Sequence, residues 1–195
     1  SGLWKNNVLF TLLAKKTEFI DSETEEEVYE TTDQKWVASL QTNYTLNTER
    51  KDYVWGNVSY EDDRFSGFNY QSAYAAGWGK RWYEEGSTYF DAEVGLGYKI
   101  DETKAGVEDD AAIIRIAATF EHELYEGVAF KQTFGANIVP DSDENSKYKA
   151  ISSLTTKLME SLALKFTFTV DHNSVVTAGT ENTDTETALT LVYSF

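Results

Sequence analysis

Cysteine is absent from this 195-residue chain. Disulfide scaffolds, Cys-ligated zinc and thiol catalysis are therefore excluded. Two histidines leave little room for a transition-metal site. Proline occurs once, at Pro140, so almost nothing interrupts a run of strands. Bases are scarce: Lys and Arg total 17 against 33 Asp and Glu, for a formal charge of −16. Nucleic-acid phosphates would be repelled, which removes nucleic acid as a partner. No apolar run approaches the roughly 20 residues of a spanning helix, so a helical membrane protein is excluded. No signal peptide opens the sequence, so the chain reads as cytoplasmic or as a processed or truncated secreted form.

Aromatic residues, by contrast, make up 14% of this polar chain. They fall in alternating rows. Leu189, Leu191, Tyr193 and Phe195 oppose Ala188, Thr190, Val192 and Ser194. Leu162, Leu164, Phe166, Phe168 and Val170 oppose Ala163, Lys165, Thr167 and Thr169. Phe90, Ala92, Val94, Leu96, Tyr98 and Ile100 oppose Asp91, Glu93, Gly95, Gly97 and Lys99. Segments at 8–15, 36–46, 53–60, 70–82, 112–121, 128–138 and 147–158 repeat the period, although Trp55 falls on the polar row of its own segment. A period of two is the pattern of strands with two unlike faces.

That makes about ten strands in one domain, residues 1–195. Most reach the roughly 9–11 residues a tilted membrane strand needs, against about 5–6 in a soluble sheet. Connections alternate in length. Short ones lie at 47–51, 84–87, 125–127 and 160–161; long ones at 18–34, 61–69, 101–110, 141–147 and 171–186. Short turns on one side and long loops on the other predict an all-β, antiparallel, up-and-down transmembrane β-barrel. An even strand number places both termini on the periplasmic side and the long acidic loops outside. These loops hold 23 of the 33 acids.

The polar row then faces the lumen. It carries Lys15, Arg81, Asp91, Glu93, Lys99, Arg115, Glu121, Lys131, Lys149, Lys157 and Lys165. Mixed signs predict cross-lumen pairs that plug a narrow barrel. Basic residues outnumber acidic ones in this row, which keeps an anion-preferring pore as the alternative. Gly77, Gly79, Gly95, Gly97 and Gly135 share the row, either to admit long charged side chains or to relieve crowding at sheet bends. Trp4, Trp36, Trp82, Tyr44, Tyr83, Tyr125 and Tyr148 near strand ends read as interfacial girdles.

The C-terminal pattern Leu189, Leu191, Tyr193, Phe195 is similar to the assembly signal of bacterial outer-membrane barrels, which implies the barrel-assembly machinery as a partner. The whole closing segment, Asn182 to Phe195, resembles that of the YdiY-like salt-induced outer-membrane proteins of Gram-negative bacteria. So do Tyr53 to Ser59, Asp63 to Phe68, Ala76 to Arg81 and Gly95 to Tyr98. The resemblance runs over most of the chain from about Trp4. It implies a location and a fold, and no activity, because none is assigned to that family. Members usually carry one further N-terminal hairpin before the region matching Trp4. The expectation is therefore ten strands in this chain, or twelve if that hairpin is missing.

Asp171 and His172, with Ser174 nearby and Asp62 and Asp63 on another loop, are the weak catalytic candidates, for a rim hydrolase of omptin-like or phospholipase-like type. His122 falls on the lipid-facing row near a short turn. No specific metal site is expected and no cofactor is required. Weakly bound Ca²⁺ or Mg²⁺ on Glu23, Glu25, Glu26 and Glu27 would bridge the acidic loops to lipopolysaccharide. The resulting reading is a non-enzymatic outer-membrane barrel with a structural, envelope-adaptation or scaffold role and a largely plugged lumen. Its partners are outer-membrane lipid and lipopolysaccharide, and no protein partner is identified.

Overall fold

Alternation of apolar and polar residues drives every element of the computed structural model. It describes residues 3–20, 27–47, 49, 51–64, 68–141, 144–176 and 181–193, with the side chains of 15–20 and 27–33 outside that set. Ten strands follow in order: β1 (Trp4–Ile20), β2 (Glu27–Asn47), β3 (Asp52–Asp63), β4 (Phe68–Glu85), β5 (Thr88–Thr103), β6 (Glu108–Tyr125), β7 (Val128–Ile138), β8 (Lys147–Met159), β9 (Leu162–Asn173) and β10 (Thr183–Tyr193). Each pairs antiparallel with its sequence neighbours, in the order β1 to β10. Among the described residues there is no helix. The all-β, up-and-down architecture expected from the sequence is present.

Lengths run from 11 to 21 residues. The strands extend further into the acid-rich segments than the sequence suggested. The connection placed at 18–34 shrinks to 21–26, because β1 and β2 continue as a paired ribbon from Lys16↔Thr31 to Ile20↔Glu27. The one at 101–110 becomes a tight turn at 104–107, closed by Thr103 N to Val107 O at 2.9 Å. Polarity alone marked these ends as loops, whereas the ladder continues wherever a partner strand is available. At the opposite end, the turn at Gly86-Ser87 is a two-residue hairpin with φ +60° at Gly86, a conformation that glycine adopts at low cost.

The sheet curls strongly. β3 and β8 lie five strands apart in the order, about 24 Å on a flat sheet with roughly 4.8 Å spacing. Yet Lys147 Nζ on β8 donates to Glu61 Oε2 on β3 at 2.7 Å. Only a concave face brings such distant strands into contact. Among the described residues, β1 pairs with β2 alone and β10 with β9 alone, so the curled sheet is a half-barrel with two unpaired edges.

Burial is the reverse of that in a soluble domain. Leu96 (72% exposed), Leu191 (62%) and Phe168 (40%) face outward from the convex side. Asp101 (3%), Lys99 (5%) and Asn57 (6%) are buried against the concave side. A soluble sandwich would turn its apolar row inward; here that row forms a continuous outer band.

Candidate functional site

Among the described residues the concave face is the polar, enclosed surface of the sheet, and three groups of side chains line it from the loop end to the turn end. At the loop end, Glu61 on β3 sits between two lysines. Its Oε1 lies 2.7 Å from Lys35 Nζ on β2, and its Oε2 takes the hydrogen bond from Lys147 on β8. Lys147 also donates to Gln71 Oε1 on β4 at 3.0 Å. Asp171 on β9 accepts from Lys149 on β8 at 2.7 Å and lies 4.0 Å from Lys147. Lys99 on β5 bridges Asp101 at 3.1 Å and Asp109 on β6 at 2.9 Å. Asp63 lies 3.5 Å from Lys35 as well, and each of the four lysines has an acid within ion-pair distance, as buried charges need if they are to stay ionised. The 139–146 connection is tied down beside this group: Ser146 Oγ accepts from Val139 N at 2.9 Å, and Asn145 Nδ2 donates to Asn173 Oδ1 at 2.9 Å.

The middle is built around Trp55, 3% exposed and turned into the concave face. Pairing carries one row from Trp55 through Gly77, Gly95 and Arg115 to Asn137. A Cβ on Gly77 would meet the Trp55 ring at 2.8 Å, and one on Gly95 would meet it at 2.6 Å. A Cβ on Gly79 would meet the Tyr53 ring at 2.6 Å. These glycines therefore admit aromatic rings and, at Gly77 and Gly95, the close approach of the Val94 and Ala76 carbonyls, which fits relief of crowding in the sheet and not room for long charged side chains. Gly135 meets no neighbour within 4 Å and borders a cavity. The Arg115 guanidinium lies 5.5 Å from the Trp55 ring centroid, within cation–π range.

At the turn end, Glu93 accepts from Gln41 Nε2 and from Tyr53 OH, both at 2.9 Å. Arg81 makes a two-pronged pair with Asp91 at 2.7 and 2.8 Å, while its guanidinium covers the Tyr89 ring at 4.3 Å. Glu84 accepts from Arg81 and pairs with Lys51. Lys131 reaches Glu121 at 3.2 Å and Tyr89 OH at 3.3 Å.

Of the eleven lumen residues expected from the sequence, the side chain of Lys15 lies outside the described residues, and six meet opposite charges: Arg81, Asp91, Lys99, Glu121, Lys131 and Lys149. Glu93 is held by neutral donors. Lys157 is exposed near the turn end of β8. Lys165 is half-buried with no carboxylate in reach among the described residues. Sequence reasoning missed Lys35, Glu61, Asp101, Asp109 and Lys147 as lumen residues. Most of these fell in segments read as external loops, although continuing the period through Asn57 and Ser59 to Glu61 and Asp63 would have found two of the acids.

The weak catalytic pair is not brought together. Asp171 and His172 are neighbours within β9, and successive strand residues face opposite ways. Asp171 is buried on the concave face, while His172 packs outside against Tyr148 at 6.0 Å and bonds Thr183 Oγ1 at 2.8 Å. Asp62 and Asp63 divide between the two faces in the same way. His122 lies on the outer face, its Nδ1 2.8 Å from Thr88 Oγ1. Among the described residues no three carboxylate or histidine groups converge on a metal-sized site. Glu23, Glu25 and Glu26 lie outside the described residues, as does the side chain of Glu27. In the assembly-signal row, Leu189, Leu191 and Tyr193 are exposed on the outer face of β10; Phe195 lies outside the described residues.

The comparisons with known proteins give a family and no activity. The chain is 25% identical over 166 residues to the uncharacterized protein YdiY of Escherichia coli strain K12, a match covering 85% of this chain and 64% of the relative. The chain thus spans a little under two thirds of the length of that curated relative. The family model described as "Protein of unknown function, DUF481" matches residues 1–195, and the chain belongs to that family.

Proposed function

We propose that the chain is an integral β-barrel of the Gram-negative outer membrane, with a structural or envelope-adaptation role and a lumen largely filled by paired side chains. The observation that carries this reading is the inverted burial: an exposed apolar row outside, a paired charged row inside. Hydrocarbon is the solvent in which that arrangement is favourable. Aromatic groups at both ends of the band support it. Trp36, Tyr60 and Tyr70 stack in sequence at the loop end, with centroids 4.8 and 5.8 Å apart. Trp78 and Trp82 meet edge-on at the turn end, 6.3 Å apart, and Trp4 packs on Tyr44. Twelve residues separate Tyr70 from Trp82 along β4. That is about 40 Å of strand, or roughly 28 Å across a sheet tilted by about 45°, close to the roughly 25 Å apolar band of such barrels.

In this reading the termini and short turns are periplasmic, and the acid-rich connection between β1 and β2 faces outside, towards lipopolysaccharide. Ca²⁺ or Mg²⁺ would offset repulsion between those carboxylates and lipid phosphates. The acidic crown is smaller than composition suggested, since Glu61, Asp101, Asp109 and Asp171 are spent inside on lysines. The resemblance of the closing segment, Asn182 to Phe195, to salt-induced outer-membrane proteins fits a role in envelope adaptation. A narrow anion-preferring pore is the second reading, favoured by two cavities of about 340 and 380 Å³ along the concave face.

The test is fractionation of expressing cells, followed by electrophoresis with and without boiling. The expected result is recovery in the outer-membrane fraction, with faster migration of the unboiled protein. Recovery in a detergent-free soluble fraction would overturn the proposal. Planar bilayers then separate the two readings: small or no steady conductance supports the filled lumen, and a steady anion-selective current supports the pore.

A further inference from the structure

Arg115 stands apart from the other buried cations. Lys35, Lys99, Lys147, Lys149, Arg81 and Lys131 each have a carboxylate within ion-pair distance. Arg115 has none among the described residues, and its Nε–H is buried without an acceptor. Two more unmatched polar atoms lie in the same paired row: the Nε1–H of Trp55, itself 3% exposed, and Oδ1 of Asn137. Glu93, on the adjacent strand β5, accepts from Gln41 and Tyr53 through Oε1 and lies beyond ion-pair distance of Arg115. A guanidinium held over an indole, with its N–H edge unspent, retains the planar fork that binds a carboxylate in two places.

Position adds to chemistry. Arg115 lines both cavities, the one towards the loops and the one towards the turns, so it stands at the waist between them. On the loop side, Leu9, Val37, Ala73, Ala117 and Ile151 give the wall an apolar stretch between the ion pairs.

We propose that Arg115, held over Trp55, forms a mid-lumen binding site for a small carboxylate whose apolar body occupies the loop-side cavity. The proposal uses the concave lumen of the barrel reading but not its location or its conductance. An unpaired guanidinium in a partly dehydrated wall is costly unless water or an anion faces it, and a carboxylate in either cavity that Arg115 lines would supply that anion. Chloride would meet the charge but not the fork or the apolar wall.

The experiment is an equilibrium titration of the detergent-solubilised protein with butyrate, read by tryptophan fluorescence because Trp55 lies at the site. Butyramide and chloride at matched ionic strength are the controls. Saturable butyrate binding, with butyramide and chloride at least tenfold weaker, is the expected result. Arg115→Met should weaken butyrate at least tenfold. Should that variant fail to fold, Arg115→Lys keeps the charge without the fork and should still weaken butyrate several-fold. Lys104→Met, on the exposed β5–β6 turn, should change nothing. Equal response to butyrate and butyramide, no saturable response, or unchanged affinity in both Arg115 variants would overturn the site. A protein that fractionates as soluble yet binds butyrate through Arg115 would overturn the membrane reading and leave the site standing.

Discussion

The two ends of the concave face use the same residue types to different effect. At the turn end, Arg81 pairs with Asp91 on the adjacent strand, and Lys51 pairs with Glu84 near the rim, where both side chains are at least a third exposed. At the loop end, Glu61 on β3 holds Lys147 from five strands away, with both side chains at most one-fifth exposed. Pairs between neighbours add little to what the backbone ladder already fixes, and water screens them. A pair that spans the lumen fixes the curvature itself, since losing it leaves charges facing each other across a cavity. Between the ends, Trp55 over Gly77 and Gly95 fills the waist by shape instead of charge.

Replacing an outward residue tests the premise shared by both ends, that the apolar face is the lipid face. Phe168→Arg should destabilise the folded barrel by about 2–4 kcal/mol if it sits near the midplane. Thr167→Arg, one residue along β9 and turned inward, should be much milder. Urea unfolding in lipid vesicles reads both, and equal losses would contradict the face assignment. At the loop end, Glu61→Ala should cost about 3 kcal/mol, the low end for breaking a buried pair, because Asp63 and Asp171 remain near the stranded lysines. A loss under about 1 kcal/mol would put the two ends on the same footing.

At the waist, Gly95→Ala places a Cβ 2.6 Å from the Trp55 ring and should cost about 1–3 kcal/mol by overpacking. Adding Trp55→Phe should recover part of that loss; if the double variant is additive, ring and glycine are not coupled. The smallest effect belongs to the turn end, where Lys51→Ala should change stability by less than about 1 kcal/mol and less again in molar salt. A larger shift there would erase the contrast with Glu61.

Strand number, order of faces and the inward row from Arg81 to Lys149 were legible in the chain because a period of two survives any context. Strand ends were not. Between Glu18 and Gln34 the acids outnumber everything apolar, so the sequence reads as a loop, but β1 and β2 remain paired to Ile20 and Glu27. Local polarity sets propensity; a partner strand supplies the hydrogen bonds that override it. The same error hid Glu61 and Asp101, and it made Asp171 and His172 look like one cluster when they lie on opposite faces of β9.

Sequence by itself thus determined that the chain forms long two-faced strands with one apolar row and one charged row, since side-chain direction along a strand is fixed by the pleat. It also determined that no thiol would be found. Tertiary structure decided the direction of curl, and with it which charges meet. Glu61 and Lys147 are 86 residues apart, and no local pattern links them. Trp55 was ambiguous until curvature turned it inward over Gly77 and Gly95. Arg115 looked like any other lumen cation until the sheet curled around it and left it without a carboxylate at ion-pair distance among the described residues. Pairing across a cavity depends on the separation of strands in space, which is a property of the curved sheet as a whole and is written in no single segment of the chain.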